Sequence, residues 1–220
     1  TITADTFKLL DLKLGNICNL KCRICGPYSS SQMATELLKL IPAKDRKASN
    51  VYEMQQAGQW PRKQTKFWDN LQPYLDQIRF IEFTGGEPFM IKEHFEFLQK
   101  LQNKSEIEIH YNTNGTHYPE KYIDIWKDFK TVEIAFSIDD IGGRFEYQRK
   151  GAVWSEVQEN IRKFKQLRDT KSNIHLQCCS TINNYNAYYL PELSRWIDAQ
   201  EFDNMHWNML HYPDYLSVFN

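Results

Sequence analysis

Three cysteines lie close together near the start of the chain, at Cys18, Cys22 and Cys25. They fall within eight residues, directly after the apolar segment 7–15. Three thiolates can bind three irons of a four-iron, four-sulfur cube and leave the fourth iron open. A closed zinc site needs four ligands, and the nearest histidine downstream, His94, is far away in the sequence. The spacing therefore favours an iron–sulfur cluster, with zinc or inert buried cysteines as alternatives.

A second motif combines two glycines with a carboxylate and a proline, in the order Thr84-Gly85-Gly86-Glu87-Pro88. Paired glycines let the backbone approach a ligand closely. The carboxylate that follows can accept hydrogen bonds from an ammonium group. Alone, this motif would indicate only a turn. Together with the three cysteines after the preceding strand, it indicates a ligand-binding site.

Apolar and β-branched runs predict six strands that alternate with six helices. The strands are predicted at residues 7–15, 77–84, 106–113, 131–138, 173–182 and 203–210, and the helices at residues 31–40, 68–75, 92–102, 119–129, 154–168 and 190–199. This alternation predicts an α/β fold with a parallel sheet and right-handed crossovers. Both motifs then lie at the carboxyl ends of neighbouring strands, where barrels of parallel strands carry their active sites.

Two stretches depart from this alternation. Residues 42–66 are a long polar insertion between the first helix and the second strand, which predicts an extra helix, a lid or a partner surface. Residues 141–152 contain two glycines and several charges, which predicts a loop. We expect residues 1–220 to form a single domain, with any auxiliary domain outside this chain.

The composition is typical of a soluble globular protein. The 220 residues are 41% hydrophobic and 25% charged, without a run that could span a bilayer. The first ten residues of the sequence lack the basic start, the apolar stretch and the cleavage site of a signal peptide. Clustered cysteines favour a reducing compartment, so we expect a cytoplasmic protein. The net charge of −1 does not favour nucleic acid, although residues 1–66 carry 11 basic and 5 acidic side chains. That excess indicates either a solvated surface or an anionic partner.

The two motifs together resemble those of the radical S-adenosylmethionine (radical SAM) superfamily, which has C-x3-C-x2-C after the first strand and GGEP after the second. The resemblance continues at Asn112-Thr113-Asn114-Gly115-Thr116 after the third strand and at Ser137-Ile138-Asp139 after the fourth. It implies a partial TIM barrel, a (β/α)6 core with parallel strands. The segment CNLKCRICGPYSSSQ is most similar to the branch whose members carry SPASM or twitch auxiliary domains.

The resemblance implies an enzyme with two cofactors, a 4Fe-4S cluster and S-adenosyl-L-methionine. In that superfamily the reduced cluster cleaves S-adenosylmethionine to methionine and a 5'-deoxyadenosyl radical, which abstracts hydrogen from a substrate. The implied partners are a one-electron donor of the flavodoxin or ferredoxin type and a peptide or protein substrate. Modification of a nucleotide or RNA is one alternative. A non-catalytic iron–sulfur or zinc module on the same scaffold is another.

The resemblance also implies a role for each residue of the two motifs. The three cysteines would bind three irons, and the methionine part of S-adenosylmethionine would chelate the fourth. Gly85, Gly86 and Glu87 would meet the methionine amino group through backbone carbonyls and the Glu87 side chain. Pro88 would fix this turn. Ile24 occupies the position where the family often has an aromatic residue against the adenine.

Polar residues at the ends of the third and fourth strands are further candidates for cofactor contacts. Ser137 and Asp139 could bind the ribose or the methionine carboxylate, because short side chains at a strand's carboxyl end point into the barrel mouth; the alternative is loop capping. Thr113 and Asn114 could contact cofactor or substrate, although a tight Asn-Gly turn would also explain Asn114.

Six residues in the second half of the chain complete the set of candidates. Arg149 could offer a carboxylate the bidentate cation that it prefers, with Arg144 as its rival. Cys178 and Cys179 are neighbours in the fifth predicted strand, so their side chains point to opposite faces of the sheet. Burial without a function is the expectation for this pair. At the sixth strand, Asn208 and His211 could line the pocket.

Overall fold

The computed structural model describes residues 7–219, and its centre is a sheet of six parallel strands. In chain order the strands are β1 (Leu9–Lys13), β2 (Lys21–Cys22), β3 (Phe80–Thr84), β4 (Glu108–Thr113), β5 (Thr131–Ser137), β6 (Arg149–Lys150), β7 (Ile174–Ile182) and β8 (Asn204–Met209). The large sheet has the order β1-β3-β4-β5-β7-β8, and β2 and β6 form a separate antiparallel ribbon. Strands β1 and β8 are the two edges, as in an open partial barrel. The six predicted strands and the α/β class are confirmed.

Helices connect the strands and cover one face of the sheet. They are α1 (Ser31–Leu40), α2 (Asn50–Ala57), α3 (Trp60–Lys63), α4 (Thr65–Leu71), α5 (Lys92–Lys100), α6 (Gly142–Gln148), α7 (Trp154–Thr170) and α8 (Leu190–Ala199). The predicted helices 31–40, 92–102, 154–168 and 190–199 are confirmed as α1, α5, α7 and α8. Within residues 7–219, none of the helices has both the length and the apolar character needed to cross a bilayer.

The two faces of the sheet differ in chemistry because side chains alternate along each strand. The face beneath the helices is apolar, and its centre is an aromatic cluster that includes Phe83, Tyr111 and Trp126. The opposite face carries a row of titratable residues at matching positions of neighbouring strands: Asp11, Glu82, His110, Glu133 and His175. The second face is therefore a polar interior surface, open to a polar ligand.

The prediction of a loop at residues 141–152 is wrong. Residues Gly142–Gln148 form α6, and Arg149–Lys150 form the strand β6. Phe145 is completely buried, and its ring centroid lies 4.8 Å from that of Trp154. Burial of this aromatic ring outweighs the poor helix propensity of the two glycines at the start of α6.

Two predicted helices also differ from the structure. The helix predicted at 119–129 is only a 3-10 turn at Ile123–Asp128. Asn173 Nδ2 donates to the carbonyls of Trp126 and Phe129 at its C-terminal end, both at 2.8 Å, and so occupies acceptors that a longer helix would use. The helix predicted at 68–75 lies instead at Thr65–Leu71, and a 3-10 turn follows it. Pro73 stands at the start of that turn, and it has no N–H with which to continue an α-helix.

The polar insertion 42–66 is helical, which confirms the first of its three interpretations. It contains α2, α3 and the beginning of α4. Asn16 anchors it, since Asn16 Nδ2 donates to the carbonyls of Pro27 and Met54, both at 2.7 Å. Trp60 adds a second anchor by donating from Nε1 to the carbonyl of Lys13 at 3.1 Å. The insertion is therefore tied to the segment that carries the cysteines.

Candidate active site

The cysteine segment is folded back on itself between β1 and α1. The amide of Cys25 donates to the carbonyl of Cys22 at 3.0 Å, and the amide of Ser31 donates to the carbonyl of Asn16 at 2.6 Å. Ser30 Oγ donates to the carbonyl of Leu20 at 2.5 Å and also accepts from the first turn of α1. These bonds hold the segment as a compact loop, and one serine both caps the helix and closes the loop.

The three cysteines lie close enough for their charges to interact, and all three are free thiols. Cys18 and Cys22 are buried, and Cys25 is half-buried. Burial raises the pKa of Cys18 to about 11 and that of Cys22 to about 12, and it also raises the pKa of Cys25. Each thiolate would further raise the pKa of another, because like charges repel. A positive group or a metal is needed to stabilise three thiolates here.

A buried ion pair supplies one positive charge beside the cysteines. Arg149 pairs with Cys22 in the β2–β6 ribbon, and its Nη2 lies 2.7 Å from Asp139 Oδ2. The Arg149 charge lowers the pKa of Cys22 and of Cys25, against the larger effect of burial. The other oxygen of Asp139 accepts from the amide of Thr181 at 2.9 Å. Asp139 and Arg149 are therefore both near the thiols and rigidly held.

The rival arginine, Arg144, points elsewhere. Its guanidinium pairs with Asp140 at 3.0 Å and with Glu192 at 2.8 Å, and it lies over the ring of Tyr189. Of the two arginines considered, Arg149 is the one that the fold brings to the cysteines.

The double-glycine turn packs directly against the cysteine loop. Gly85 and Gly86 both have positive φ, at 79° and 56°. A Cβ on Gly86 would lie 2.3 Å from the carbonyl oxygen of Ile17. The amide of Glu87 donates to this same carbonyl at 2.7 Å. Glycine is required here by both the backbone conformation and the close approach, and Pro88, which is buried, begins the short 3-10 turn that follows.

The carboxylate of Glu87 is completely buried and holds the end of the neighbouring strand. Oε1 accepts from Thr113 Oγ1 at 2.8 Å and from the amide of Phe89 at 3.2 Å, and Oε2 accepts from the amide of Asn114 at 2.7 Å. Burial raises the pKa of Glu87 to about 7, although these hydrogen bonds oppose the shift. Both carboxylate oxygens of Glu87 are therefore engaged in hydrogen bonds within the protein.

The remaining predicted residues are distributed around this centre. Asn114 is buried beside Cys18. Ser137 ends β5 at the position paired with Cys179. Ile24 lines a groove of about 300 Å³ that continues from Cys25 to the segment after β8.

Two of the candidates from the end of the chain lie at different places. The side chain of Asn208 donates to Cys179 Sγ at 3.2 Å on the polar face. His211 is exposed, and its ring stacks on Phe219. Cys178 is completely buried and Cys179 is half-buried, so the expected division of this pair between the two faces is confirmed.

Two asparagines that were not among the predicted site residues, Asn19 and Asn186, also shape the site. Asn19 donates from Nδ2 to Thr116 Oγ1 at 3.0 Å, which joins the cysteine loop to the loop after β4. Asn186 donates to the backbone carbonyl of Asp139 at 2.7 Å. Asn19 lies inside the cysteine motif, so its position was a signal, whereas nothing in the sequence distinguishes Asn186.

The residues present fit an iron–sulfur cluster that also binds an organic ligand. Within residues 7–219, no three His, Cys, Asp or Glu side chains meet at the spacing of a single metal ion, and a cube with one thiolate per iron does not require them to. The buried Nε of Arg149 has no hydrogen-bond acceptor in the described part of the chain. That unsatisfied donor fits a ligand that brings an acceptor such as a carboxylate.

Comparison with known proteins defines the class. Residues 12–178 match the family described as the Radical SAM superfamily, and this match covers well over half of the chain. The chain belongs to the radical SAM superfamily.

Individual relatives are more distant. A GTP 3',8-cyclase from Vibrio atlanticus (strain LGP32) is 24% identical over 196 residues, which are 87% of this chain and 51% of that protein. Native anSMEcpe with bound AdoMet and Kp18Cys peptide has a TM-score of 0.61 at 19% identity, over 91% of this chain and 50% of that one. Streptococcus suis SuiB bound to S-adenosylmethionine has a TM-score of 0.59 at 16% identity, over 95% and 42%. The solved structures share the fold, and this chain spans about half the length of these relatives.

Proposed function

We propose that this chain is the catalytic core of a radical SAM enzyme in which Cys18, Cys22 and Cys25 bind a 4Fe-4S cluster. The carrying observation is the set of three free thiols beside a buried guanidinium with one unsatisfied N–H. When bound, the cluster and S-adenosylmethionine supply the one-electron chemistry that yields a 5'-deoxyadenosyl radical. The protein supplies binding, orientation and exclusion of water.

The chain's own residues would hold S-adenosylmethionine by its methionine end. The backbone carbonyls of Gly85 and Gly86 accept from the amino group, and Arg149 donates to the carboxylate, kept in place by Asp139. Ser137 ends β5, two residues before Asp139, and would hydrogen-bond the ribose. Ile24, on the wall of the 300 Å³ groove, offers an aliphatic surface to the adenine.

A peptide or protein is the substrate class that we propose. The groove beside Cys25 is lined by Arg23, Tyr28, Met33, Tyr212 and Tyr215, among others, and all three tyrosines are more than half exposed. Tyrosine, methionine and arginine are enriched where proteins bind other polypeptides. The peptide-bound anSMEcpe and SuiB structures, which share the fold, support the same choice. The assignment to the SPASM or twitch branch belongs to this proposal and depends on the segment CNLKCRICGPYSSSQ.

A nucleotide is the second candidate substrate. The observation that favours it is the 24% identity to a GTP 3',8-cyclase over 87% of this chain. The polar face of the sheet, with His110 3.4 Å from Glu82, would suit the hydrogen-bonding edges of a base.

The other partners follow from the chemistry. A one-electron donor of the flavodoxin or ferredoxin type must reach the cluster. Lys21 and Lys150 are paired in the ribbon that contains Cys22, where both lie near Glu36, and Arg23 follows directly after the ribbon. We place this chemistry in the reducing cytoplasm, where five free thiols persist.

Deuterium transfer distinguishes the two substrate classes. The reconstituted protein is incubated with dithionite, S-adenosylmethionine and either a fully deuterated bacterial peptide mixture or deuterated GTP. If a peptide is the substrate, 5'-deoxyadenosine gains deuterium only from the peptides, as measured by mass spectrometry. Deuterium gained only from GTP would overturn the peptide assignment and support the nucleotide. Tyr215→Ala, which removes one wall of the groove, should reduce transfer from peptides and leave unlabelled 5'-deoxyadenosine formation intact.

A further inference from the structure

Cys18 differs from the other two cysteines in how its sulfur is stabilised. Cys18 Sγ accepts from the amide of Leu20 at 3.4 Å and from Asn114 Nδ2 at 3.7 Å. The charge of Arg149 stabilises the thiolate of Cys22, and the backbone amide of Gly26, followed by the charge of Arg149, stabilises that of Cys25. Within residues 7–219, only Cys18 of the three has a side-chain hydrogen bond to its sulfur. The side-chain amide of Asn114 thus reaches this sulfur across 96 residues of sequence.

The orientation of the Asn114 amide is fixed by its other hydrogen bonds. Its Oδ1 accepts from the backbone amide of Thr116 at 2.9 Å and from Thr116 Oγ1 at 2.6 Å. A backbone N–H can only donate, so the oxygen must face Thr116 and the NH2 group must face Cys18. The second N–H of that group donates to Asn19 Oδ1 at 3.1 Å.

The loop that carries Asn114 is itself held on three sides. The buried Glu87 carboxylate accepts from the amide of Asn114 and from Thr113 Oγ1. On the other side, Asn160 of α7 donates to the carbonyl of Gly115 at 2.9 Å, and Asn19 binds from the cysteine loop. A donor held in this way cannot turn away from the sulfur, so its effect on Cys18 is built into the fold.

We propose that Asn114 is a positioning residue that raises the reduction potential of the cluster by donating a hydrogen bond to the sulfur of Cys18. The proposal rests on the proposed function, because it requires Cys18 to bind the cluster. One electron from the donor enters the site, the donor is oxidised by one electron, and no proton is transferred. The added negative charge strengthens the N–H···S bond, so the reduced form gains more than the oxidised form.

Two substitutions at this position test the idea. Asn114→Leu removes the donor at similar volume, and Asn114→Asp keeps an oxygen for Thr116 but replaces the NH2 group with a second, negative oxygen. The protein is reconstituted with iron and sulfide, and the midpoint potential is measured by titration with dithionite, monitored by electron paramagnetic resonance. The potential should fall in the order wild type, Asn114→Leu, Asn114→Asp. We expect at least a tenfold change in the one-electron equilibrium for Asn114→Leu, which corresponds to about 59 mV.

Thr116→Val is the matched control. It removes the hydroxyl on the far side of the same amide, so it disturbs the loop while leaving Asn114 Nδ2 on Cys18. The control should keep the potential and the spectrum of the wild type. Equal potentials for wild type and both Asn114 variants at equal iron content would overturn the proposal, as would an equal shift in Thr116→Val. If the wild type assembles no cluster, the proposed function itself fails, and this is seen before any variant is compared.

Discussion

Single buried polar residues make this fold sensitive to pH. His94 is completely buried in α5 and belongs to a chain of hydrogen bonds: Trp126 Nε1 donates to the hydroxyl of Tyr111 at 3.4 Å, and that hydroxyl lies 3.2 Å from His94 Nε2. His94 Nδ1 lies 2.5 Å from the carbonyl of Ile91, to which it donates. Burial lowers the pKa of His94 to about 3. The folded protein therefore requires the neutral ring.

We predict that His94 makes the protein less stable in acid. Its pKa falls from 6.5 in the unfolded chain to about 3 in the fold, so between these values the unfolded state binds one more proton. Stability is fully present above about pH 6.5 and is lost as the pH falls through this window. In urea unfolding, the free energy of unfolding of the wild type should fall more steeply than that of His94→Gln, by up to about 1.4 kcal/mol per pH unit.

Trp126→Phe serves as the control for this prediction. It shortens the same hydrogen-bond chain but keeps His94, so it should lower stability at every pH and leave the steep slope. Parallel pH profiles for the wild type and His94→Gln would show that His94 is not the group that titrates.

Some residues of the site can be predicted from the sequence alone, and others cannot. The spacing of Cys18, Cys22 and Cys25 is local, so their proximity could be predicted without a structure. The direction of the Glu87 carboxylate could not, because its partners Thr113 and Asn114 lie on the next strand along the sheet. The orientation of the Glu87 carboxylate depends on how β3 and β4 pack together, and the spacing of residues within one segment does not determine it.

At the scale of elements, the double-glycine turn determines how β3 meets the cysteine loop. We predict that Gly86→Ala lowers the free energy of unfolding by at least about 2 kcal/mol, because alanine is strained at a φ of 56° and its Cβ would collide with the Ile17 carbonyl. It should also displace the loop and reduce the iron bound on reconstitution. Urea unfolding and iron analysis measure the two effects.

Gly143→Ala is the matched control for that turn. Gly143 lies in α6, and a Cβ there meets no atom within 4 Å. Alanine is the better helix former by about 0.8–1.0 kcal/mol, so this variant should be as stable as the wild type or more so. Equal stability of the two glycine variants would contradict the structural role given to Gly86.

Element boundaries were predictable where pattern and packing agree. The helix at Ser31–Leu40 follows from its apolar spacing and from Ser30, whose side chain caps it. Residues 142–148 look like a loop because of their glycines, and they become helical through the buried ring of Phe145. A short helix of this kind depends on tertiary contacts more than on propensity.

At the scale of the whole molecule, the sheet separates an apolar core from a polar surface. Its helix-covered face is an apolar core, and its other face is polar and accessible. The three cysteines, the double-glycine turn and the Asp139–Arg149 pair meet near the carboxyl ends of the strands, in agreement with where parallel barrels place their chemistry. The alternation of strands and helices predicts this architecture. The identity of the substrate depends on surfaces such as the groove beside Cys25, whose lining comes from both ends of the described chain.

The central claim is that the three clustered cysteines support radical chemistry with S-adenosylmethionine. Its most direct test is anaerobic reconstitution with iron and sulfide, addition of dithionite and S-adenosylmethionine, and quantification of 5'-deoxyadenosine by mass spectrometry. We predict that the wild type and Cys179→Ser both form 5'-deoxyadenosine, whereas Cys22→Ser forms no more than a protein-free sample. Undiminished 5'-deoxyadenosine in Cys22→Ser would contradict the account, and a wild-type cluster without any 5'-deoxyadenosine would point instead to a non-catalytic iron–sulfur module.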